Sequence, residues 1–157
     1  MSVQRVSHLG ICVSDAERAL AFYRDGLGFR QVSELSLAGE PSATLLQLPG
    51  VDFRAIYLER DGVRIELLHF RAPRSSGGAA GARPVNRPGL THLALRVSDQ
   101  DALLERLEAA GARVLGATRI EVPEMQTRAV FVTDPDGTLI ELVEAPGDPA
   151  ALPGAAR

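Results

Sequence analysis

Apolar and polar residues alternate along several short segments of the chain, with the period of two that is typical of half-buried β-strands. In the first half this pattern predicts strands at about 5–13, 29–37, 53–59 and 63–70. In the second half it predicts strands at 91–97, 113–121, 127–133 and 138–144. The pair Asp136-Gly137 is a turn signal directly before the last of these strands. The chain is therefore rich in strands in both halves.

One helix is predicted in each half, after the first strand. Ser14 with Glu17 forms a capping-box pattern that opens a helix through about residue 24, and the segment DGLG at 25–28 ends it. In the second half Ser98 is the predicted N-cap of a helix over 99–110.

The first half also has about nine additional residues, near 39–50. Pro41 followed by an apolar run predicts one short extra helix there. We expect this insertion to help cover a pocket.

The two halves resemble one another over most of their length. The segment SHLGICVSDAERAL (7–20) resembles THLALRVSDQDALL (91–104), and RAIYLERDGVRIELL (54–68) resembles RAVFVTDPDGTLIELV (128–143). Such internal repetition indicates two copies of one structural unit. The predicted fold class is α+β, with the element order βαβββ in each half. His8 is the counterpart of His92, and Glu66 is the counterpart of Glu141.

Composition divides the chain between these repeats. Residues 1–70 form the first predicted module and residues 90–145 the second. Between them, residues 71–89 are rich in Gly, Ala, Pro and Arg, which predicts a linker. Residues 146–157 have a similar composition and are expected to form a loosely held tail.

The alternation of side chains along a strand decides which residues share a face of the sheet. One apolar set in each first strand is predicted to pack on the helix: Leu9, Ile11 and Val13, repeated by Leu93, Leu95 and Val97. His8, Glu66, His92 and Glu141 then lie on the opposite face. His69 has the wrong parity relative to Glu66 and is left out of the candidate set.

These four residues predict a metal site. A carboxylate within an apolar strand, such as Glu141, is costly to bury unless it has a partner. Two neutral imidazoles and two carboxylates together carry two negative charges, which one divalent cation neutralises. Imidazole nitrogen and carboxylate oxygen suit Zn, Ni, Co, Fe or Mn. A structural zinc site would use cysteine and close every position, so a mixed His and Glu set favours a catalytic metal with open positions.

Each of these residues has a more ordinary interpretation when it is considered alone. A single His or Glu in a strand is usually a polar residue on a wet face, and the recurrence at matched positions is what favours ligation. Arg54 and Arg128 are related by the repeat and are candidates to hold an anionic group of a substrate, with solvent-exposed arginine as the alternative. Cys12 is a candidate to line the cavity, with a small buried hydrophobic side chain as the alternative.

Composition excludes several functional classes. The net charge is −3 and the 17 basic residues form no patch on a predicted face, so no nucleic-acid partner is expected. All 17 are Arg, so Schiff-base chemistry on a lysine side chain is excluded. Cys12 is the single cysteine, which excludes an internal disulfide and a CxxC motif. With neither a long apolar run nor an apolar leader, we expect a soluble, cytoplasmic protein without a membrane partner.

Four segments carry a resemblance to a known family: HLGICVSDAERALAFYRDGLGF (8–29), IELLHF (65–70), HLALRVSD (92–99) and DPDGTLIELVE (134–144). They resemble the glyoxalase I / bleomycin-resistance / extradiol-dioxygenase group, the vicinal oxygen chelate superfamily. The resemblance implies that paired βαβββ modules form a curved, cup-like mixed sheet with the helices outside. It also implies one divalent metal that receives one His and one acidic residue from each module, here His8, Glu66, His92 and Glu141.

The ligand pattern separates the activities within this superfamily. Glyoxalase I enzymes use His or Gln, Glu, His and Glu, and methylmalonyl-CoA epimerases use a similar set. Extradiol dioxygenases use two His and one Glu, which leaves the position of Glu66 without a ligand role.

The fourth carboxylate therefore favours a lyase or isomerase that transfers a proton on an α-oxygenated carbonyl or an acyl thioester. Glu141 or Glu66 would be the general base. An extradiol-type Fe(II) dioxygenase and a drug-binding resistance protein without catalysis are the alternatives. A small-molecule substrate and a homodimer are expected. The identity of the metal, and whether each site forms within one chain or between two, are open at this stage.

Overall fold

The computed structural model describes residues 2–75 and 84–151. The chain divides into two compact units, Met1–Gly78 and Ala79–Arg157. The boundary between them falls within the stretch 71–89 that is rich in Gly, Ala, Pro and Arg. Residues 76–83 of that stretch, and residues 152–157 of the predicted tail, lie outside the described residues.

The first unit is a four-stranded mixed sheet with two helices. Its strands are β1 (Leu9–Val13), β2 (Arg30–Ala38), β3 (Asp52–Arg60) and β4 (Val63–Ala72), in the spatial order β1-β4-β3-β2. Strands β1 and β4 are parallel, and the other neighbours are antiparallel. Helix α1 (Ala16–Leu20) continues into a π-helical segment, Ala21–Gly26, and helix α2 (Glu40–Leu46) connects β2 to β3.

The second unit repeats this order with shorter edge strands. Its elements are β5 (Leu93–Val97), α3 (Gln100–Ala109), β6 (Arg113–Val114), β7 (Ile120–Val122), β8 (Thr127–Thr133) and β9 (Leu139–Glu144). The sheet has the order β5-β9-β8-β6, and β7 also pairs with β8. Strands β5 and β9 are parallel, as β1 and β4 are in the first unit.

The α+β class is confirmed, and each unit has a helix after its first strand. The additional helix predicted from Pro41 is confirmed as α2. None of the helices in 2–75 and 84–151 is long and apolar enough to cross a membrane.

The single strand predicted at 113–121 is wrong. Two short strands, β6 and β7, occupy this region and are separated by a 3₁₀ turn at Gly116–Thr118. The hydroxyl of Thr118 accepts a hydrogen bond from the backbone N–H of Phe131 at 2.9 Å. A side chain therefore replaces a backbone partner of β8 at this point, and the pairing of the edge strand is interrupted.

The predicted helix caps are each displaced by one residue. Asp15, and not Ser14, accepts a hydrogen bond from the N–H of Arg18 at 2.9 Å. Asp99, and not Ser98, accepts from the N–H of Ala102 at 3.1 Å. A carboxylate at this position satisfies an unpaired N–H group and also places negative charge at the positive end of the helix dipole.

The two faces of the first sheet are covered by different helices. Helix α1 covers one face with its buried residues, and the strand residues buried on that face are Ile56, Leu58, Ile65 and Leu67. On the other face, Ala43 of α2 forms a buried cluster with Val51, Phe53 and Ala55, and Leu46, Leu48, Tyr57, Leu68 and Phe70 pack against it. The insertion that is specific to the first half therefore covers the face that carries Glu66.

The first residues of the predicted tail contact the second sheet. Arg96 of β5 donates hydrogen bonds to the backbone carbonyls of Ala145, Pro146 and Ala151, at 2.9, 3.1 and 3.2 Å. Two residues of the predicted tail, Pro146 and Ala151, thus hydrogen-bond to β5 through their carbonyl groups.

Candidate metal centre

The first unit brings His8 and Glu66 into contact. His8 directly precedes β1, and Glu66 lies in β4 opposite Gly10 of β1. The distance from His8 Nε2 to Glu66 Oε2 is 3.0 Å. The side chain of Glu66 is 11% exposed and that of His8 is 32% exposed. A nearly buried carboxylate thus has an imidazole as its partner.

The second unit repeats this contact with His92 and Glu141. His92 lies directly before β5, and Glu141 lies in β9 opposite Ala94 of β5. The distance from His92 Nε2 to Glu141 Oε2 is 3.2 Å, and the two side chains are 29% and 28% exposed. In each unit, the structure brings together the His and the Glu that strand parity placed on the same face.

A hydroxyl group contacts the other nitrogen of each imidazole. Ser7 Oγ lies 3.0 Å from His8 Nδ1, and Thr91 Oγ1 lies 2.9 Å from His92 Nδ1. This contact orients the ring and leaves Nε2 directed at the carboxylate, as outer partners of metal-bound histidines do. Sequence reasoning missed both hydroxyls, although Ser7 and Thr91 occupy the same position of the repeat.

An aromatic ring packs edge-on against each imidazole. Tyr57 and His8 have ring centroids 5.5 Å apart at an interplanar angle of 78°. Phe131 and His92 have centroids 5.3 Å apart at 83°. Tyr57 lies opposite Glu66 across β3 and β4, and Phe131 lies opposite Glu141 across β8 and β9. These two aromatic residues are also matched by the repeat, but no sequence pattern assigned them to the site.

The tyrosine differs from the phenylalanine in one contact. The side chain of Tyr57 lies beside Glu66, and its interaction with that carboxylate, together with burial, raises the pKa of Tyr57 to about 12. A phenol beside a carboxylate keeps its proton because the phenolate would repel the carboxylate. Tyr57 therefore keeps its proton beside Glu66, whereas Phe131 has no hydroxyl beside Glu141.

Tight turns fix the register that places both glutamates. Asp61 and Gly62 have φ values of 51° and 78°, so both central residues of the β3–β4 turn adopt the left-handed region that two-residue hairpins favour. In the second unit Asp134 Oδ1 accepts hydrogen bonds from the N–H groups of Asp136 and Thr138, at 2.9 and 2.7 Å. A slip of one residue would turn Glu66 or Glu141 to the opposite face.

The structure does not support the substrate role expected for Arg54 and Arg128. Arg54 lies opposite His69, on the face away from Glu66, and pairs with Glu34 at 2.7 Å and Glu17 of α1 at 3.2 Å. These contacts join the helix to the sheet. The expectation failed because the parity that excludes His69 also excludes Arg54.

Arg128 has the equivalent position in the second unit. It lies opposite Glu144, on the face away from Glu141, and pairs with Glu144 at 2.7 Å and with Asp101 of α3 at 2.9 Å. Both arginines are therefore placed outside the candidate site.

Cys12 lies on the face that carries Glu66, opposite Leu68. Its side chain is exposed, so the alternative of a small buried hydrophobic residue is wrong. Its location remains compatible with the lining of a cavity next to the His8–Glu66 pair.

The geometry of each pair fits two neighbouring ligands of one metal ion. Ligand atoms held at about 2.0–2.2 Å from an ion and at right angles to one another lie roughly 3 Å apart. The observed separations of 3.0 and 3.2 Å between Nε2 and Oε2 match this value. Within either unit, no third His, Cys, Asp or Glu among the described residues joins the pair. Each unit thus holds one pair of potential donor atoms.

Residues 5–142 match the family model described as the Glyoxalase/Bleomycin resistance protein/Dioxygenase superfamily. The chain belongs to this superfamily. Two characterised or named proteins have similar sequences over almost the whole chain. The chain is 31% identical over 144 residues to the ethylmalonyl-CoA/methylmalonyl-CoA epimerase of Cereibacter sphaeroides, covering 89% of this chain and 97% of the relative. It is 31% identical over 156 residues to a probable lactoylglutathione lyase of Vibrio cholerae, covering 98% and 100%.

Solved structures of the glyoxalase superfamily share the fold. A glyoxalase family protein from Bacillus cereus superposes with a TM-score of 0.79 at 23% identity, covering 94% of this chain and 97% of that one. The fosfomycin resistance protein FosX of Listeria monocytogenes, solved with Mn(II) and sulfate, superposes with a TM-score of 0.55 at 16% identity, covering 92% and 94%. A protein of the same fold has therefore been solved with a divalent metal.

Proposed function

We propose that this glyoxalase superfamily member binds one divalent metal through His8, Glu66, His92 and Glu141 and transfers a proton at the carbon next to a carbonyl group. The observation that carries the proposal is the pair of matching His–Glu contacts, at 3.0 and 3.2 Å, on equivalent strands of the two units. The same contact is kept in both copies of the repeat, although the residues around it differ, for example Tyr57 and Phe131.

The donor set determines what the residues do. Each imidazole offers Nε2 while its Nδ1 is occupied by Ser7 or Thr91, and each carboxylate neutralises one positive charge. A bound Zn, Ni, Co, Fe or Mn ion would polarise a carbonyl of the substrate and stabilise the negative charge that develops when the neighbouring C–H bond breaks. The chain itself supplies the base for that step.

Glu141 and Glu66 are the candidate general bases. A carboxylate takes the α-proton, and the electron pair of the broken C–H bond moves onto the carbonyl oxygen. Return of the proton to the opposite face of the same carbon inverts its configuration, whereas return to the adjacent carbon isomerises the substrate. No oxidant or reductant is consumed, so the reaction class is that of an isomerase or lyase.

The relatives favour acyl thioesters among the possible substrates. Their names refer to ethylmalonyl-CoA, methylmalonyl-CoA and lactoylglutathione, and all three molecules are thioesters with a substituted α-carbon. An α-proton next to a thioester carbonyl is the kind of proton that a metal-assisted carboxylate can remove. We expect the protein to act as a homodimer in the cytoplasm on a small molecule of this class.

Exchange of the α-proton with solvent tests the proposal directly. The protein, loaded in turn with Zn, Ni, Co or Mn, is incubated in deuterium oxide with methylmalonyl-CoA, ethylmalonyl-CoA or lactoylglutathione, and the α-proton signal is followed by NMR. We expect loss of this signal with at least one thioester. The variant Glu141→Gln should exchange about 10²-fold more slowly or worse, because general-base catalysis contributes about 10²–10⁴ in rate.

A different result would point to the dioxygenase branch. Oxygen consumption with catechols by the Fe(II)-loaded protein, together with no deuterium incorporation into any of the three thioesters, would overturn the proposal.

A further inference from the structure

A cavity of about 640 Å³ lies at the end of the second sheet where β5 and β9 finish. The polar residues that line it are Arg96, Ser98, Gln126 and Glu144, and Pro146 of the predicted tail lines it as well. The first three of these residues have a guanidinium, a hydroxyl and an amide, which are groups that donate hydrogen bonds to an oxyanion. The proposed metal ligands do not line this cavity, so it has no role in the site described above.

Arg96 lies on the face of the second sheet that carries Glu141. In the parallel pairing of β5 with β9, Ala94 lies opposite Glu141 and Arg96 lies opposite Val143. Alternate residues of a strand share a face, so Arg96 is the next residue of β5 on this face after Ala94. The guanidinium extends further, to the carbonyl of Ala145, which is four residues beyond Glu141 and thus roughly 13 Å along the sheet from it.

The positive charge of Arg96 has no carboxylate partner among the residues that the structure describes. Its guanidinium donates to the backbone carbonyls of Ala145, Pro146 and Ala151, whereas Arg128 contacts two carboxylates. A guanidinium has five N–H donors, and these contacts use one from Nη1 and two from Nη2. The Nε–H group and the second Nη1–H group can therefore donate to an anion while the contacts with the tail are kept.

The carboxylate that lines the same cavity has other partners. Glu144 accepts a hydrogen bond from Arg128 at 2.7 Å and a second one from the first N–H group of α3 at 2.9 Å. In the predicted tail, Asp148 accepts a hydrogen bond from the N–H of Ala150 at 2.8 Å. Neither carboxylate contacts Arg96, so the cavity keeps an arginine whose charge is available to a ligand.

The repeat shows that the fold does not require a cation at this position. The first unit has Cys12, opposite Leu68, where the second unit has Arg96, opposite Val143. The βαβββ unit therefore forms with either residue, and the arginine gives the second unit a charge that the first unit lacks on this face.

We infer that the cavity at Arg96 is a subsite for an oxyanion, a phosphate or a carboxylate, on the carrier of the thioester substrate. The inference rests on the proposed function, because it takes a thioester as the substrate. Distance decides which anionic group binds. A carboxylate of the acyl group is bonded to the α-carbon itself, whereas the guanidinium lies roughly 13 Å along the sheet from Glu141. Coenzyme A and glutathione both have anionic groups that are remote from their sulfur atom.

Three variants separate the charge of Arg96 from its contacts with the tail. Arg96→Gln removes the charge, and Arg96→Lys keeps it but loses the planar guanidinium. Arg113→Gln is the matched control, because Arg113 is exposed and pairs with Thr133, which lies opposite Leu139 at the other end of β9. Circular dichroism of each variant checks that the fold is kept.

Titration calorimetry of the metal-free protein measures the binding of three thioethers, so this readout does not depend on activity. They are S-ethyl coenzyme A, S-ethyl glutathione and S-ethyl-N-acetylcysteamine, which has no anionic group. We expect the wild type and Arg113→Gln to bind one of the first two alike, and Arg96→Gln to bind it about 10- to 100-fold more weakly, since a hydrogen bond between charged groups is lost. Arg96→Lys should lose less than about tenfold. Loss with the coenzyme A thioether assigns the subsite to a phosphate, and loss with the glutathione thioether assigns it to a carboxylate.

A role of Arg96 in holding the tail alone would weaken binding equally in Arg96→Gln and Arg96→Lys, because both lose the guanidinium, and that result would overturn the inference. Unchanged affinity in Arg96→Gln, or no binding of either anionic thioether by the wild type, would overturn it as well. If Arg96→Gln does not fold, Ser98→Ala decides, since it removes a hydroxyl from the same cavity and leaves Arg96 in place. Binding about threefold weaker or more supports the subsite, and unchanged binding overturns it.

Exchange of the α-proton separates this inference from the proposed function. The N-acetylcysteamine thioester of methylmalonate has no carrier anion, so the metal-loaded wild type and Arg96→Gln should exchange its α-proton at the same rate. Exchange without any binding that depends on Arg96 removes the subsite and leaves the proposed function. Binding that depends on Arg96, without exchange in any thioester, removes the proposed function and leaves the subsite.

Discussion

At the scale of single residues, the imidazoles of the proposed site are oriented by the residue that directly precedes each of them. Ser7 and Thr91 each place a hydroxyl oxygen about 3 Å from Nδ1 of the following histidine, at 3.0 and 2.9 Å. With a metal on Nε2, a neutral imidazole carries its proton on Nδ1. The hydroxyl oxygen then accepts a hydrogen bond from this N–H group. Each hydroxyl can therefore serve as the outer partner of a metal-bound imidazole.

Removal of the Ser7 hydroxyl should weaken metal binding without loss of the fold. We expect Ser7→Ala to bind zinc up to about 10- to 100-fold more weakly, since the His8 ring loses its outer partner. Ser7→Thr is the matched control, because threonine has this role beside His92, and it should retain wild-type affinity. Zinc competition measures both variants. Equal affinities for Ser7→Ala and Ser7→Thr would show that the hydroxyl does not orient His8.

The sequence predicted the His–Glu partners because parity and repetition depend only on counting along strands. It missed Tyr57 and Phe131 because their place beside the glutamates depends on the β3–β4 and β8–β9 registers, which the turns determine. The arginine expectation failed for the same reason. Arg54 is three positions from Tyr57, so it lies on the opposite face once Tyr57 is known to face Glu66.

At the scale of elements, each helix after the first strand is joined to its sheet by a repeated ion pair. Arg54 contacts Glu17 of α1, and Arg128 contacts Asp101 of α3. Glu144 adds a second connection in the second unit, because its Oε2 accepts from the Gln100 N–H at the start of α3 at 2.9 Å. The hydrogen bond from Arg128, and then the one from Gln100, hold the pKa of Glu144 below its usual value.

This lowered pKa makes the contribution of Glu144 to stability dependent on pH. Since the pKa in the folded state lies below that of the unfolded chain, ionised Glu144 stabilises the fold above the unfolded pKa, roughly 4.3. The contribution is lost as the pH falls through the folded pKa. We expect the wild type to have a higher urea midpoint than Glu144→Gln at pH 7, and the difference to shrink toward pH 3.

The exposed Glu108→Gln on α3 is the control for this measurement, and its urea midpoint should follow the wild type more closely at every pH. A difference between the wild type and Glu144→Gln that is constant from pH 7 to pH 3 would exclude the proposed origin in ionisation.

Helices and strands with a strong hydrophobic periodicity were predicted well. The region in which a side chain takes the place of a backbone hydrogen-bond partner between strands was not. The strand at 127–133 has the predicted bounds, and the helix at Gln100–Ala109 differs from its prediction by one residue at each end. The region 113–121 could not be predicted as two strands, because the interruption depends on the contact of Thr118 with Phe131 across the sheet. Sequence spacing does not reveal such a contact.

At the scale of the whole molecule, each of the two units holds one imidazole and one carboxylate of the proposed ligand set. One such pair supplies a single negative charge and two donor atoms, which is too few for a typical site of a divalent transition metal. The proposal therefore requires both pairs to bind the same ion. Whether the pairs come from one chain or from two chains of a homodimer, the number of sites per chain is one.

Titration calorimetry of the metal-free protein with zinc tests this claim most directly. We expect one zinc ion per chain, and a loss of affinity of at least about 100-fold in His8→Ala and in His92→Ala alike, since each variant removes one of four ligands. His69→Gln is the control, because His69 lies opposite Arg54 on the face that α1 covers, away from Glu66. This variant should bind one zinc ion per chain, as the wild type does. Two zinc ions per chain, or unchanged affinity in either His8→Ala or His92→Ala, would contradict the account.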